Sequence, residues 1–429
     1  MTEPVVLFSR VLESSALTIP TLSGQRTSRL LDRGLVTIPA GRGLLAYSTL
    51  GTSILRRVED TLLHELAALG HTRLELPAVM SDDDLARGQP VGDQFASKIV
   101  PVGGRLSGHH LMTSPETLIA RLGDGFDLSH RCLPLRLSYA TRIFRQMTET
   151  RSLLTAREFR VVGALVLRPS ATRSLDLATD LAALDTAFAR GADALGVPVR
   201  QVRHGPLTSE LAYACEEGDL GRDPPVDHDP DPGAACAANE ANSAHIPDEA
   251  PPTRLLSLSV GYLYTGDCDF PLRYRGPDNT MYPPQAVTAA ICSNRLLYAC
   301  FDASRDRHGF ALPATVRPFD TVLVPRAASD IATAVHLADV AHLAGLRAAV
   351  DDRVTRAVRD RCAFASHIGA PASVVVHGPH LAVTPRGHLP RFDAPHSLGE
   401  RRWTDAVRRL DRPTGTVPDD LARSDRAVS

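Results

Sequence analysis

Two segments, 133–144 (LPLRLSYATRIF) and 157–167 (REFRVVGALVL), constrain this chain more than any other. Both carry the apolar and β-branched content of long strands, and the stretch between them is polar. Two such strands joined by about a dozen residues make an antiparallel hairpin, and a connection of that length is more often functional than ornamental. Chemistry is therefore sought first in the hairpin loop.

The flanking segments supply helices for such a sheet. Residues 48–69 place Leu50, Ile54, Leu55, Val58, Leu62, Leu66 and Leu69 near a 3.6-residue period, with Arg56, Arg57, Glu59 and Asp60 mostly off the apolar stripe, which predicts an amphipathic helix. Gly70 ends it, and Arg73-Leu74-Glu75-Leu76-Pro77 alternates as a strand whose proline suits an edge or an interface. A second amphipathic helix is predicted over 174–195, closed by Gly196 and followed by a strand at 197–204. Residues 255–260 alternate as a strand, and 286–291 run into a helix over 293–301. Between 218 and 252 proline, aspartate, alanine and asparagine replace large apolar residues. Such a segment cannot bury enough surface to offset its ordering entropy, so an exposed insertion is expected, with His228 and its aspartate neighbours forming a solvated acidic loop in preference to a metal site.

Beyond Pro318 the pattern becomes regular. Strands at 319–325, 346–352, 372–378 and 381–385 alternate with helices at 329–343, 356–367 and 397–410, which implies a layered domain on a mostly parallel sheet. The expected organisation is an N-terminal segment 1–29, a core 30–316 on an antiparallel sheet, an α/β domain 317–410 and a polar tail 411–429. The fold class is α+β.

Composition narrows the function classes. With 429 residues, 43% of them hydrophobic and 22% charged, the chain can bury sizeable cores, which excludes general disorder. Its 47 basic and 49 acidic residues give a net charge of −2, so no overall field advertises a nucleic-acid partner, and DNA is not expected. Lys98 is the single lysine. Counting arginines consequently identifies no phosphate site; position has to decide. No run of about 18 apolar residues occurs and Met1-Thr2-Glu3-Pro4 brings no basic leader region, so neither a membrane span nor a secretory signal is expected and the default location is the cytoplasm. The cysteines at 132, 215, 236, 268, 292, 300 and 362 include no CxxC pair, and free thiols in a reduced compartment are expected, without a protein-held metal.

At the hairpin, Phe144-Arg145 ends one strand, Arg151 lies in the loop and Arg157-Glu158-Phe159 opens the return strand. This arrangement resembles the second signature motif of class II aminoacyl-tRNA synthetases, and within that class it is most similar to prolyl-tRNA synthetases. The likeness extends along most of the chain. The stretch 41–79, from GRGLLAYSTLG to the strand ending at Pro77, resembles the family's first motif, a dimer-forming helix and strand; LMTSPETLI (111–119) lies where the family has a Thr-x-Glu amino-acid loop. CAANE (236–240) is similar to a stretch that follows the hairpin region, VGYLYTG (260–266) to the Gly-His-x-Phe-Gln segment, and AAICSNRLLYA (289–299) to the third motif. The segments FDTVLVP, VDDR and IGAPASVVVHG resemble the anticodon-binding domain. The spacing leaves no room for a large editing insertion, so a compact version is implied.

The resemblance implies carboxylate activation by ATP, with Mg²⁺ as the companion of ATP, an amino acid as substrate, tRNA or another acceptor, and a homodimer. Arginine suits polyanion binding because its planar fork grips phosphate at two points and stays ionised. By position, Arg145 resembles the α-phosphate arginine, Arg151 a γ-phosphate contact and Arg295 the third-motif arginine; Arg145 and Arg295 are the catalytic candidates, with Glu158 and Phe159 completing an ATP-binding set. Thr113, Glu116, Tyr262 and Tyr264 form the expected amino-acid set. The chain also departs from the family. Met147 stands where a carboxylate acceptor is usual, Ala290 and Cys292 stand in place of glycines, Thr113-Ser114-Pro115-Glu116 shifts the carboxylate by one residue, and Tyr262 and Thr265 replace His and Gln. Two readings stay open: a ligase with an altered pocket, or a catalytically inactive paralogue that binds tRNA or regulates. Trp403 and the basic residues Arg401, Arg402, Arg408 and Arg409 on the last helix are expected to serve as core and solvated face, with base stacking as the other reading.

Overall fold

The two long apolar segments lie side by side toward one edge of a seven-stranded sheet. The computed structural model describes residues 5–10, 26–87, 98–116, 119, 128–203, 208–216, 253–264, 272–388 and 402–410. The expected insertion at 218–252, the CAANE stretch and Thr265 lie outside them. The chain divides into two compact units, one of Met1–Ile38, Tyr47–Ile54 and Phe301–Ser429, the other of Pro39–Ala46 and Leu55–Cys300.

In the second unit the sheet strands are β1 (Thr72–Leu74), β2 (Leu135–Phe144), β3 (Glu158–Arg168), β4 (Val199–Arg203), β5 (Thr208–Glu216), β6 (Thr253–Tyr264) and β7 (Gln285–Cys292). Their order is β4-β5-β6-β7-β3-β2-β1, antiparallel throughout except for the β1–β2 edge pair. The expected strand at 73–77 is shorter and ends before Pro77, which carries no N–H for a ladder. β2 and β3 pair from Leu135↔Leu167 to Phe144↔Glu158, so the expected hairpin is present with its loop at 145–157. Strand β5 is an element that the sequence pattern did not single out.

Register fixes which side chains share a face, because partners directly opposite point the same way and neighbours along a strand alternate. One row across the sheet is Tyr139, Gly163, Ala290 and Val260; the next is Leu137, Leu165, Thr288 and Tyr262. This face carries a buried apolar cluster of Met80, Met112, Ile143, Val161 and Leu165 that supports the site described below. Helices cover the opposite face. The helix α1 (Thr49–Ala68) enters the second unit from Leu55 onward, and α2 is Ser174–Ala194. At Gly261 an added Cβ would stand 2.6 Å from Leu181 Cδ1 of α2, and at Gly191 2.8 Å from Leu62 Cδ2 of α1, so both glycines permit close packing. Buried charges on this side are paired: Arg160 grips Glu59 of α1 through Nε and Nη2 at 2.6 and 2.7 Å, and Arg168 grips Asp180 at 2.6 and 2.9 Å. The helix α3 (Ser293–Ala303) follows β7 directly, as expected.

The first unit holds the α/β part: β8 (Thr321–Pro325), α4 (Ile331–Leu343), β9 (Ala348–Val350), α5 (Val358–His367), β10 (Ala372–His377), β11 (His380–Pro385) and α6 (Arg402–Leu410). Its sheet is parallel along β9-β8-β10 with β11 antiparallel at one edge. The other edge is a two-residue strand, Val6–Leu7, parallel to β9. Val6–Leu7 joins the α/β sheet, Thr27 Oγ1 donates to Asp302 at 2.7 Å, and residues from Phe301 fall in this unit. Trp403 is fully buried among Leu337, Ala341, Val374 and Val407, so it packs in the core. On the same helix Arg408 donates to the Ala344 carbonyl and lies 3.5 Å from Asp405.

Candidate active site

The hairpin loop is fastened by arginines that hold its backbone. Arg145 N–H donates to the Arg157 carbonyl at 2.9 Å and closes the base of the loop; Arg157 Nε reaches the Met147 carbonyl at 3.2 Å and Arg42 Nη2 the Thr148 carbonyl at 2.7 Å. At the tip, Arg151 N–H donates to Thr155 at 2.7 Å around Ser152, whose φ of 44° lies in the left-handed region. The loop is thus shaped by its own carbonyls accepting from two guanidinium groups and two backbone N–H groups.

Arg145 points back over the sheet face, its guanidinium carbon 5.3 Å from the centroid of the Phe159 ring. Burial pushes its pKa down to about 10, the neighbouring charge of Arg295 pushes the same way, and Glu116, Tyr262 and Cys292 oppose the shift. Two guanidiniums held within electrostatic reach of one another in a partly desolvated place create a field that favours an anion. The sequence-derived candidates Arg145, Arg295, Glu116 and Tyr262 therefore converge, from four separate segments.

Arg295 is more than a point charge. Its Nε donates to the Leu154 carbonyl of the loop at 3.0 Å and its Nη1 to the Ser257 carbonyl of β6 at 2.9 Å, so it ties the loop to the sheet. Arg151 lies in the tip turn with Nη2 3.8 Å from Glu149. Glu158 is paired with Arg142, and Phe159 presents its ring to Arg145.

Glu116 is held by three hydroxyl groups: Ser114 Oγ to Oε2 at 2.5 Å, Tyr139 Oη to Oε1 at 3.1 Å and Thr288 Oγ1 to Oε1 at 3.1 Å. Tyr139 lies over Gly163 so closely that a Cβ there would stand 2.3 Å from its Cζ and Oη. A glycine on β3 is thereby required for the tyrosine on β2 to reach Glu116. Thr113 is buried and its hydroxyl turns to the Leu111 carbonyl at 3.2 Å. Tyr262 is opposite Thr288 in register, and Tyr264 is opposite Ala286, its side chain outside the described residues. Ala290 fits the ladder between Gly163 and Val260, and Cys292 is opposite Val161.

Tyr139, Ser114 and Thr288 were not among the sequence-derived candidates. Gly163 was the available signal, since a lone glycine inside an apolar strand marks a place where another group comes close. Among the described residues no group of three or more His, Cys, Asp or Glu is arranged to hold a metal ion, and no helix is long and apolar enough to cross a membrane.

No protein-family model matches the chain. It is 26% identical over 399 residues to the proline–tRNA ligase of Methylobacterium radiotolerans, covering 82% of this chain and 88% of that protein. It is 24% identical over 426 residues to the proline–tRNA ligase of Methylorubrum populi, covering 88% and 93%. Among solved structures, the Giardia lamblia prolyl-tRNA synthetase in complex with prolyl-adenylate superimposes with a TM-score of 0.65 at 16% identity, over 94% of this chain and 79% of that one. The Cryptosporidium parvum enzyme complexed with halofuginone and AMPPNP gives 0.66 at 13% identity, over 93% and 76%.

Proposed function

From a class II synthetase fold that stands close to prolyl-tRNA synthetases, we propose that the chain is a ligase that activates an amino acid with ATP and passes it to tRNA or to another acceptor. The observation that carries this reading is that Arg145, its guanidinium carbon 5.3 Å from the centroid of the Phe159 ring, stands within electrostatic reach of both Arg295 and Glu116. The arrangement supplies opposite charges for the two ends of an amino acid and a surplus of positive charge for a phosphate.

In the reaction a carboxylate oxygen attacks the α-phosphorus of ATP and pyrophosphate leaves. Negative charge builds on the phosphate oxygens in the transition state, where a preorganised guanidinium stabilises it more than in the ground state. Arg145 has that role and Arg295 reinforces it, while Arg151 contacts the outer phosphates and Phe159 backs the Arg145 plane. Glu116 receives the amino group, with Thr113 and Tyr262 beside it and Tyr264 on the same strand. Mg²⁺, as the companion of ATP, would neutralise part of the charge of the triphosphate. The ATP analogue and the adenylate in the related solved structures support the nucleotide, and the curated ligases support proline as the first amino acid to try. The first-motif helix α1 is proposed to form a homodimer interface, in a cytoplasmic protein.

A second reading, a paralogue that binds tRNA without turnover, is favoured by one observation: two donors of Arg295 are already engaged by the Leu154 and Ser257 carbonyls. ATP–pyrophosphate exchange over the twenty amino acids, with Arg145→Ala as control, separates the two. Exchange with one amino acid, lost in the control, is the expected result; no exchange with any, beside retained tRNA binding on filters, supports the second reading.

A further inference from the structure

The carboxylate of Glu116 sits in a cage whose walls all donate. Oε1 accepts from Tyr139 Oη and from Thr288 Oγ1, both at 3.1 Å, and Oε2 accepts from Ser114 Oγ at 2.5 Å. An ionised carboxylate offers about four acceptor sites, so this count leaves one, on Oε2. The donors come from three different places in the chain, the 111–116 loop, β2 and β7, and the sheet register that brings β2 and β7 to either side of Gly163 fixes two of them. The single proton of Thr288 is shared between Glu116 Oε1 and the Ala164 carbonyl, each 3.1 Å from Oγ1, so Thr288 is the weakest of the three donors. Tyr139 is fully buried, with its ring laid across Gly163. A hydroxyl delivered by a rigid ring on a strand fixes a carboxylate better than one delivered from a loop.

We infer that Ser114, Tyr139 and Thr288 are positioning residues for Glu116, holding its remaining acceptor site toward the amino nitrogen of the substrate, so that the pocket selects α-amino acids over carboxylic acids that lack the nitrogen. The inference deepens the proposed function and rests on the same site, although it concerns binding and not turnover. It also accounts for the shifted carboxylate of the Thr113-Ser114-Pro115-Glu116 loop: Ser114 occupies the step between threonine and glutamate and supplies the third donor.

The test uses the full chain and direct binding by calorimetry. The probes are the L-amino acid of a twenty-member panel that binds most tightly, its counterpart carrying hydrogen in place of the amino group, and AMP. Wild-type protein is expected to prefer the amino acid to the deamino acid. Tyr139→Phe, which keeps the ring over Gly163, and Thr288→Val are each expected to weaken amino-acid binding about tenfold, the effect of losing a hydrogen bond to a charged group, while binding of the deamino acid and of AMP stays within about twofold. Glu116→Gln is expected to erase the preference. If both hydroxyl variants bind the amino acid as wild type does, if they lose both acids alike, or if wild type ignores the amino group, the inference is overturned. The preference without any pyrophosphate exchange would uphold it while removing the ligase reading.

Discussion

Arg145 lies over the Phe159 ring, across the mouth of a hairpin that its own N–H closes on Arg157. A ring under a guanidinium keeps the plane of the fork fixed while leaving its edge for an anion. Phe159→Leu removes the π face and retains bulk, so about 1 kcal/mol of orientation is lost, which corresponds to a roughly fivefold weaker affinity for AMP or ATP. Calorimetric titration of wild type and variant measures it; an unchanged affinity would show that the stack does not orient Arg145.

Arg145 carries its charge at a cost in the absence of an anion. Its pKa, pushed down to about 10 by burial and by Arg295, means that folding penalises the charged form, and this penalty is present at neutral pH and fades as pH rises through about 10. Arg145→Gln is therefore expected to melt about 2–4 °C above the wild type at pH 7.5 without ligand. Adding AMP or pyrophosphate should raise the melting temperature of the wild type and leave the variant where it is. A variant that melts lower than wild type under both conditions contradicts the account.

The central helix and sheet are joined by the Arg160–Glu59 pair, with Glu59 almost wholly buried. Glu59→Ala removes the carboxylate that Arg160 grips through two donors, and a loss of about 3 kcal/mol in urea unfolding is expected. The double variant Glu59→Ala/Arg160→Met should recover part of that loss, because the guanidinium that lost this carboxylate is gone as well.

How much of this could be read along the chain depends on whether a feature is local. The helix expected at 48–69 and the hairpin strands are present because periodicity and apolar runs report burial on one face. The regular alternation after 318 likewise gave the α/β sheet. Short or edge elements carry too few residues to show a period, so the pairing of Val6–Leu7 with β9 leaves no mark in the sequence pattern. Arg145, Arg295 and Glu116 can be nominated from their places along the chain alone. The cage around Glu116 cannot, since Tyr139 and Thr288 meet it only through strand register, which a linear reading of apolar residues does not supply.

In the α/β unit, His367 is buried against Phe310, and burial with the charges of Arg386 and Arg305 pushes its pKa down to about 4. The unfolded chain takes up this proton near the ordinary histidine value while the folded chain does not. Stability from this group is thus complete above about pH 6.5 and is lost as pH falls toward 4. Between pH 7.5 and 5 the wild type is expected to lose about 2 kcal/mol more than His367→Leu in denaturant unfolding. Equal losses in the two proteins would rule out His367 as the acid-sensitive group.

The most direct test of the central claim is calorimetric titration of the full chain with a non-hydrolysable sulfamoyl analogue of prolyl-adenylate, which occupies the amino-acid and α-phosphate positions together. The account expects saturable one-site binding, about 100-fold weaker in Arg145→Ala, the loss of roughly 3 kcal/mol of charge-assisted contact. Equal binding by wild type and Arg145→Ala, or no binding by either beside tight binding of AMP alone, would contradict it.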